Sequence, residues 1–326
     1  MISVVMAVYN GEKYLCEQLD SIVTQSLLPD EIIIMDDMST DATFEILQKY
    51  SSQYLSIIWK IFRNNKNIGW RRNFIEGLKK AEGEFVFFCD QDDIWYKEKI
   101  ETMFLCMKSN IKIKLLASTY TPIYENGNQY IEKKILKNFK QTNTVKQVKF
   151  TEKFLYVDLP GCVYLLHRDL VKKIIEKWYY PSAHDSIAWR IAMIDDSLYI
   201  LDRPLIYFRR HNKSATAKKR NSYKEKISDC LFWKQVIDNL LYYLQSSNNS
   251  LNKQKILLKA QRFVGTRLHF YETKNPFRWF ICWKYYKYYF SLKSLLGDLY
   301  YVLKERLNNE NTSSNTGTCW FKRNSK

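Results

Sequence analysis

Short apolar runs alternate with amphipathic stretches over the first two thirds of the chain. The clearest runs are Ile2–Val8, Glu31–Met35 and Phe85–Cys89, each followed by turn residues or carboxylates. Runs of this length and character are typical of strands buried on both faces of a sheet. Apolar residues recur at helical spacing between them, as in Trp70–Ala81. The alternation predicts an α/β fold with a Rossmann-like, mostly parallel sheet flanked by helices.

The same pattern predicts the remaining elements of this region. Further strands are expected at Leu55–Phe62, Ile113–Tyr120, Gly161–Leu166, Tyr199–Leu201 and Ile206–Arg209, and further helices at Tyr14–Ile22, Ala42–Tyr50, Lys97–Met107, Arg168–Trp178 and Ser186–Ile194.

The pattern changes after about residue 215. Residues 216–307 have few Gly or Pro and carry helical apolar faces at Tyr223–Leu244 and Leu251–Phe270. Residues 308–326 are polar and are predicted to form a disordered tail. We therefore predict a domain at 1–215 and a helical, basic and aromatic C-terminal appendage at 216–307.

Charge and composition indicate an anionic partner. The net charge is +17, so nucleic acid, anionic lipid and a phosphorylated substrate are all candidates. Residues 261–326 alone hold 12 Lys/Arg against 4 Asp/Glu, a net of +8, interleaved with Trp, Tyr and Phe. That mixture is typical of a membrane interface, although a helical bundle with an aromatic core explains the same residues.

Several classes of protein are disfavoured. The seven cysteines are odd in number and form no CxxC pair, which indicates free thiols in a reducing compartment. The start, MISVVMAVYNG, has no basic region and is predicted to be a first strand rather than a signal peptide. No apolar run reaches the roughly 18 residues of a spanning helix. The first turn lacks the Gly-x-Gly-x-x-Gly of dinucleotide-dependent oxidoreductases.

The stretch FVFFCDQDDIW carries the most informative chemistry. Asp90, Asp92 and Asp93 follow the apolar run directly, at the sheet edge where α/β proteins bind ligands. Carboxylates this close repel one another, and Mg²⁺ bound to a diphosphate would relieve the repulsion. A solvated acidic turn is the alternative. Asp36 and Asp37 end the second strand, where a carboxylate can accept a hydrogen bond from a ligand or cap the next helix.

Four segments, AVYNG, DDMSTD, FFCDQDDIW and AHDSIAWRIAM, appear in this order. Together they resemble the nucleotide-sugar-dependent glycosyltransferases of family 2, which have the GT-A fold. The rhamnosyltransferase-like branch is the closer resemblance, because DQDDIW, a Gly-Cys strand start and a terminal YRxH-type segment recur there. The resemblance covers residues 1–215.

The resemblance implies an inverting glycosyltransferase. The donor would be a dTDP- or UDP-sugar, with rhamnose as one candidate, and the acceptor a saccharide or lipid-linked saccharide in capsule, O-antigen or other surface polysaccharide synthesis. The enzyme would work in the cytoplasm as a peripheral protein on the inner face of the membrane, where the lipid is anionic. A homo-oligomer is compatible with the sequence.

The resemblance also implies roles for individual residues. Asp185 would be the catalytic base, and Mn²⁺ or Mg²⁺ would be held by Asp92, Asp90 and His211. Spacing alone favours Asp185 as the N-cap of a helix starting at Ser186, whereas the resemblance favours the catalytic role, and one residue could do both. The remaining roles are nucleotide binding by Ala7, Tyr9, Asn10, Glu12, Asp36, Asp37, Asn67, Arg72 and Asp90, support of the metal or diphosphate by Asp93, Arg209 and Arg210, and the acceptor side at Gly161, Cys162 and His184.

Two alternatives remain open from the sequence. The charge and the aromatic content also suit a nucleic-acid-binding protein, but no nucleic-acid-binding signature is present, so we expect no nucleic acid as partner. A non-catalytic nucleotide-sugar binder would keep the same strand ends without needing Asp185.

Overall fold

The computed structural model describes residues 1–124, 140–211, 222–245 and 251–317, with side chains described as far as 308. The chain forms two compact units. We call residues 1–149 and 157–217 the sheet unit, and residues 150–156 and 218–326 the helical unit.

The described part of the sheet unit contains one nine-stranded sheet. The strands are β1 Ile2–Val8, β2 Glu31–Asp36, β3 Ile58–Arg63, β4 Phe85–Cys89, β5 Ile94–Trp95, β6 Leu115–Tyr124, β7 Val145–Gln147, β8 Tyr164–His167 and β9 Leu198–Arg210. They follow the order β3-β2-β1-β4-β8-β6-β9-β5 across the sheet, with β7 paired to β9.

The parallel pairing expected from the sequence holds for β3-β2-β1-β4. Beyond β4 the sheet is mixed: β8 runs antiparallel to both β4 and β6, β6 and β9 are parallel, and β5 and β7 are antiparallel to β9. The α/β fold is confirmed, with a sheet less uniformly parallel than predicted. The reason is that β8 enters between β4 and β6 as an antiparallel strand.

Helices flank this sheet with their apolar faces inward. In the third of them, Phe74 and Leu78 are buried, as the helical spacing predicted, and Ile75 is buried as well. The helices are α1 Glu12–Val23, α2 Thr43–Gln53, α3 Trp70–Lys80, α4 Lys99–Ser109, α5 Arg168–Lys177 and α6 His184–Ile194.

Three predicted strands have a different form in the structure. Residues Gly161–Val163 form a 3-10 turn, and the strand begins only at Tyr164. The two short strands predicted at Tyr199–Leu201 and Ile206–Arg209 are one continuous strand, β9. Pro204 does not interrupt it because Pro204 lies opposite Thr119 where the β6–β9 register shifts, and a bulge tolerates the missing N–H.

The helical unit confirms the predicted C-terminal helical region. It consists of α7 Tyr223–Gln245, α8 Leu251–Thr273, α9 Trp279–Cys282 and α10 Leu292–Gly317, with 3-10 turns at Pro276–Arg278 and Trp283–Tyr288. Helix α10 includes residues 308–317, which were predicted to be disordered; residues 318–326 lie outside the described part. None of the helices described is long and apolar enough to cross a bilayer.

Asp298 is the polar centre of the helical unit. Its carboxylate accepts two hydrogen bonds from Arg267, at 2.6 and 2.7 Å. The hydroxyls of Tyr271 and Tyr289 donate to the same group, at 2.6 and 2.8 Å. Burial, reinforced by the nearby Asp298 charge, raises the pKa of both tyrosines well above the usual range. The buried charge is thus fully paired and hydrogen-bonded, as a buried carboxylate requires.

Candidate active site

A cavity of about 640 Å³ opens at the carboxyl ends of β1, β2 and β4. The start of α3, residues 157–161, the start of α6 and the end of β9 complete its walls. Twelve of the predicted site residues line it: Ala7, Tyr9, Asp37, Asn67, Asp90, Asp92, Gly161, His184, Asp185, Arg209, Arg210 and His211. Six others do not belong to its lining: Asn10, Glu12, Asp36, Arg72, Asp93 and Cys162.

Asp37 forms one end of the cavity and organises the loop that opens α3. Its two carboxylate oxygens accept hydrogen bonds from the backbone N–H of Ile68 and of Gly69, each at 2.8 Å. The side-chain amide of Asn64 donates a third, also at 2.8 Å. Gly69 adopts a positive φ of 82° just before the helix, a conformation that glycine accepts without strain.

Asp36 faces away from this cavity, although it precedes Asp37 directly. Its Oδ1 accepts hydrogen bonds from the backbone and hydroxyl of Ser39. Its Oδ2 lies 3.3 Å from Nε of Arg63. Successive side chains at the end of a strand point in opposite directions. Asp37 therefore lines the cavity, whereas Asp36 stabilises the loop that precedes α2.

Asn10 and Glu12 fasten the β1–α1 turn to the loop before α2. The Asn10 side chain accepts from the backbone N–H of Thr40 at 2.8 Å, and Glu12 accepts from that of Ala42 at 3.0 Å. Arg72 likewise lies off the cavity, on the first turn of α3.

Gln91, the residue between the first two motif carboxylates, was not predicted as a site residue. Its amide forms two hydrogen bonds with the backbone of Tyr9, accepting at 2.8 Å and donating at 3.1 Å. A Cβ on Gly11 would come within 2.7 Å of the Gln91 amide oxygen. Gln91 therefore ties the acidic motif to the β1–α1 turn, and its place within DQDD was the signal available.

The carboxylates of FVFFCDQDDIW divide between two environments. Asp92 lies on the cavity wall, where its Oδ2 is 2.7 Å from Nε2 of His211. Asp93 is buried behind it and accepts a hydrogen bond from the backbone N–H of Arg209 at 2.9 Å. Burial, then the neighbouring Asp92, raises the pKa of Asp93 to about 7. Burial, then Asp93 and Asp92, raises that of Asp90 well above its usual range.

Cys162, predicted on the acceptor side, does not line the cavity, and its thiol lies near Asp90 and Asp93. One ligand atom from each of the three falls within 4.8 Å of the others. Burial raises the pKa of the Cys162 thiol well above its usual range, so the thiol stays protonated. Lys99, fully buried, donates from Nζ to the Cys162 carbonyl at 2.7 Å, and burial lowers its pKa to about 8.

The end of β9 is bound to the acidic motif at several points. Residues Tyr207 and Ile206 pair with Ile94 and Trp95 of β5, which brings the following residues alongside the motif. The Arg209 guanidinium donates to the carbonyl of Asp92 at 2.8 Å and to Glu17 at 2.6 Å.

Asp185 lines the cavity from the first turn of α6. The helix begins at His184 with Ala183 as its uncapped N-terminal residue, so Asp185 is not the cap expected for a helix starting at Ser186. Its Oδ1 accepts from the Ser186 N–H at 2.6 Å, and the helix dipole favours a carboxylate at this end. A Cβ on Gly161 would lie only 2.8 Å from the Asp185 Cβ.

His184 is buried between aromatic rings beside Asp185. It stacks on Phe74 with ring centroids 3.8 Å apart and meets Phe88 edge-on at 4.6 Å. Burial lowers its pKa to about 4, so the imidazole is neutral near pH 7. Trp70 and Asp158 also line the cavity, and nothing in their local sequence separated them from helix-start and loop residues.

A sheet of this topology, with acidic strand ends facing one cavity, is the architecture of a GT-A glycosyltransferase. Residues 3–175 match the sequence profile described as Glycosyl transferase family 2. The chain therefore belongs to glycosyl transferase family 2 and is a nucleotide-sugar-dependent glycosyltransferase.

Characterised relatives agree with the family. The dTDP-rhamnosyl transferase RfbG of Shigella flexneri is 30% identical over 220 residues, which span 64% of this chain and 72% of that protein. The poly(ribitol-phosphate) beta-N-acetylglucosaminyltransferase TarS of Staphylococcus aureus is 39% identical over 101 residues, or 30% of this chain and 17% of TarS.

Solved structures share the fold at low sequence identity. The crystal structure of S. aureus TarS 1–349 in complex with UDP-GlcNAc superposes with a TM-score of 0.60 and 22% identity, over 82% of this chain and 72% of that one. The mannosyltransferase PcManGT from Pyrobaculum calidifontis, in complex with GDP-Man and Mn²⁺, gives 0.51 and 14%, over 98% and 81%.

Proposed function

We propose that this protein is an inverting glycosyltransferase of surface polysaccharide synthesis. It transfers a sugar, with rhamnose as the first candidate, from a dTDP- or UDP-sugar to a saccharide or lipid-linked saccharide. The observation that carries the proposal is one cavity with Asp37 at one end, Asp92 and His211 on its wall, and Asp185 at the start of α6. RfbG, by its name a dTDP-rhamnosyl transferase, supports the choice of sugar.

Asp37 is proposed to bind the nucleobase, with Tyr9 packing beside it. An ionised carboxylate has about four lone-pair sites, and the loop 64–69 uses three of them. One site remains for the N3–H of a uracil or thymine. The loop bonds also hold the carboxylate in place before the donor arrives, so little ordering is needed on binding.

A divalent cation is proposed to bind at Asp92 and His211, with Asp90 nearby. The Asp92 and His211 donor atoms lie 2.7 Å apart on the cavity wall. Burial raises the pKa of Asp90, and the neighbouring charges of Asp93 and Asp92 raise it further; a cation would offset that negative charge. The cluster of Asp90, Asp93 and Cys162 fits less well, since a protonated thiol is a poor ligand for Mg²⁺ or Mn²⁺. The cation would neutralise charge on the departing nucleoside diphosphate.

Asp185 is proposed to be the general base. It would accept the proton of the acceptor hydroxyl as that oxygen attacks the anomeric carbon. The bond from the anomeric carbon to the diphosphate oxygen breaks as the new glycosidic bond forms, so the configuration inverts. Asp185 lines the cavity. The neighbouring His184 is neutral near pH 7 and so offers no positive charge to pair with the carboxylate, and Gly161 has no side chain to crowd it.

The variant Asp185→Asn tests this assignment. We expect kcat for transfer to fall by about 10²- to 10⁴-fold, the usual contribution of a positioned general base. Donor binding should persist, measured as the thermal shift given by thymidine and uridine sugars with and without Mn²⁺ or Mg²⁺. Asp195→Asn, at the other end of the same helix, is the control and should keep its kcat. Full transfer by Asp185→Asn would exclude this residue as the base.

The proposed acceptor also suggests where the enzyme works. If the acceptor is lipid-linked, transfer takes place at the inner face of the cytoplasmic membrane, with the protein bound peripherally.

A further inference from the structure

The helical unit exposes large apolar side chains that its own core does not use. The core is filled by other residues, including Trp279, Cys282 and Tyr288, all buried. In the same segment, the side chains of Phe277 and Phe280 are 77% and 64% exposed. Single exposed apolar residues are ordinary on a protein surface, but contiguous groups mark interaction sites.

Helix α10 continues this surface with a stripe of its own. Exposed apolar residues recur along it at Leu292, Leu296, Tyr300, Leu303 and Leu307. At 100° per residue these five positions fall within about 80° of arc. The buried positions Leu295, Asp298 and Val302 lie on a separate face, about 100° or more from the centre of the stripe by the same count. The stripe is therefore additional to the packed face of the helix.

The charges around this surface are almost all positive. Residues 276–307 contain six cations, Arg278, Lys284, Lys287, Lys293, Lys304 and Arg306, and two anions. One anion, Asp298, is buried and paired with Arg267. The other, Glu305, is half-buried and lies 3.7 Å from the ammonium of Lys274. On α10, Lys293 and Lys304 fall at the border of the apolar stripe by helical position.

We propose that this surface, formed by Phe277, Phe280, Ile281, Trp283, Tyr286 and Phe290 together with the α10 stripe, binds an anionic lipid bilayer. Aromatic rings and leucines would enter the headgroup region while the lysines and arginines meet lipid phosphates. A second copy of the chain would need anionic groups complementary to these cations, and the two anions of residues 276–307 are already paired, Asp298 with Arg267 and Glu305 with Lys274. The inference rests on the helical unit alone and does not depend on the proposed transfer reaction.

Co-sedimentation of the full chain with large vesicles tests the proposal. We expect binding to vesicles of phosphatidylglycerol and phosphatidylcholine, weakened by added salt because surface charge is screened, and little binding to phosphatidylcholine alone. Replacing two apolar residues, Phe280→Ser with Leu296→Ser, should reduce the partition coefficient by at least about tenfold. Lys284→Glu with Lys287→Glu should reduce it for anionic vesicles.

The matched control is Tyr242→Ser with Leu258→Ser, two exposed apolar residues on α7 and α8 of the same unit. It should bind vesicles like the unchanged protein. An unaltered melting temperature and unaltered transfer to a soluble acceptor in all variants would separate lipid binding from folding and from catalysis. The proposal is overturned if the unchanged chain ignores anionic vesicles, if the control loses as much binding, or if the surface variants abolish only self-association in sedimentation velocity.

Discussion

The missing side chain at Gly161 determines how closely the start of α6 can approach the cavity wall. A Cβ at this position would lie 2.8 Å from the Cβ of Asp185 and 3.2 Å from Nε2 of His184. His184 has little room to move away, because its ring stacks on Phe74 and meets Phe88 edge-on. The position of the proposed base therefore depends on a residue that has no functional group.

Gly161→Ala should displace Asp185 while leaving the far end of the cavity intact. A misplacement of about 1 Å can cost up to about 100-fold in rate, so we expect kcat to fall by one to two orders of magnitude. The donor KM should stay within about twofold. Gly265→Ala, at a helical glycine with open space around it, is the control. Equal losses in kcat and donor affinity would contradict the geometry.

At the scale of elements, the two adjacent carboxylates at the end of strand β2 bond to two different loops. Asp37 holds the loop that starts α3 and lines the cavity. Asp36 holds the loop that precedes α2, through Ser39 and Arg63. Both residues are buried carboxylates. Substitution of each in turn therefore separates the proposed nucleotide binding by Asp37 from the loop stabilisation by Asp36.

Asp37→Asn should raise the donor KM by about tenfold or more, because a hydrogen bond to a charged acceptor is lost and an N–H₂ group faces backbone donors. Asp36→Asn should lower the melting temperature yet keep the donor KM within about twofold. Initial-rate kinetics over donor concentration, with a melting curve for each variant, distinguish the two. A rise in KM of the same size in Asp36→Asn would show that the loops are not independent.

The sequence pattern predicted the bounds of strands well where the strand is buried on both faces. Strands Ile2–Val8 and Phe85–Cys89 match the expected bounds, because their residues are buried on both faces and read as unbroken apolar runs. The pattern was less informative for β9, where Asp202 and Pro204 fall in the gap between the two strands that were predicted. Asp202 instead accepts backbone hydrogen bonds from residues 140–142, a tertiary contact that no local pattern reveals.

The candidate site was predictable to a similar degree. Residues at strand ends, such as Asp37 and Asp92, follow from the position of the strand itself. Lys99 and Trp70 were missed because each lies at the start of an ordinary amphipathic helix. Only the folded chain reveals that Lys99 reaches the Cys162 carbonyl and that Trp70 faces the cavity.

At the scale of the whole molecule, the chain has two cores of different kinds. The sheet unit is centred on apolar strands, whereas the helical unit buries the Arg267–Asp298 ion pair together with Tyr271 and Tyr289. A buried pair adds little net stability compared with an apolar core, but removal of one partner leaves an uncompensated charge.

Arg267→Met should therefore destabilise the helical unit by about 3–5 kcal/mol. Calorimetry should show one unfolding transition moved to lower temperature, while the transition that shifts with nucleotide sugar stays in place. Arg262→Met, at an exposed position on the same helix, should change neither. A shift of the donor-sensitive transition by Arg267→Met would contradict the separate cores.

The position of β9 in the sheet has a consequence for the order of assembly during synthesis. Strands β1 to β4 pair among themselves, so the part of the cavity around Asp37, which is proposed to bind the nucleobase, can form once about 90 residues have emerged. Strand β9 must wait to pair with β6, a partner far away in sequence, and such long-range pairing is slow. Since His211 follows β9, a nascent chain would hold a nucleoside before it could hold the diphosphate, and competence for transfer would arrive last.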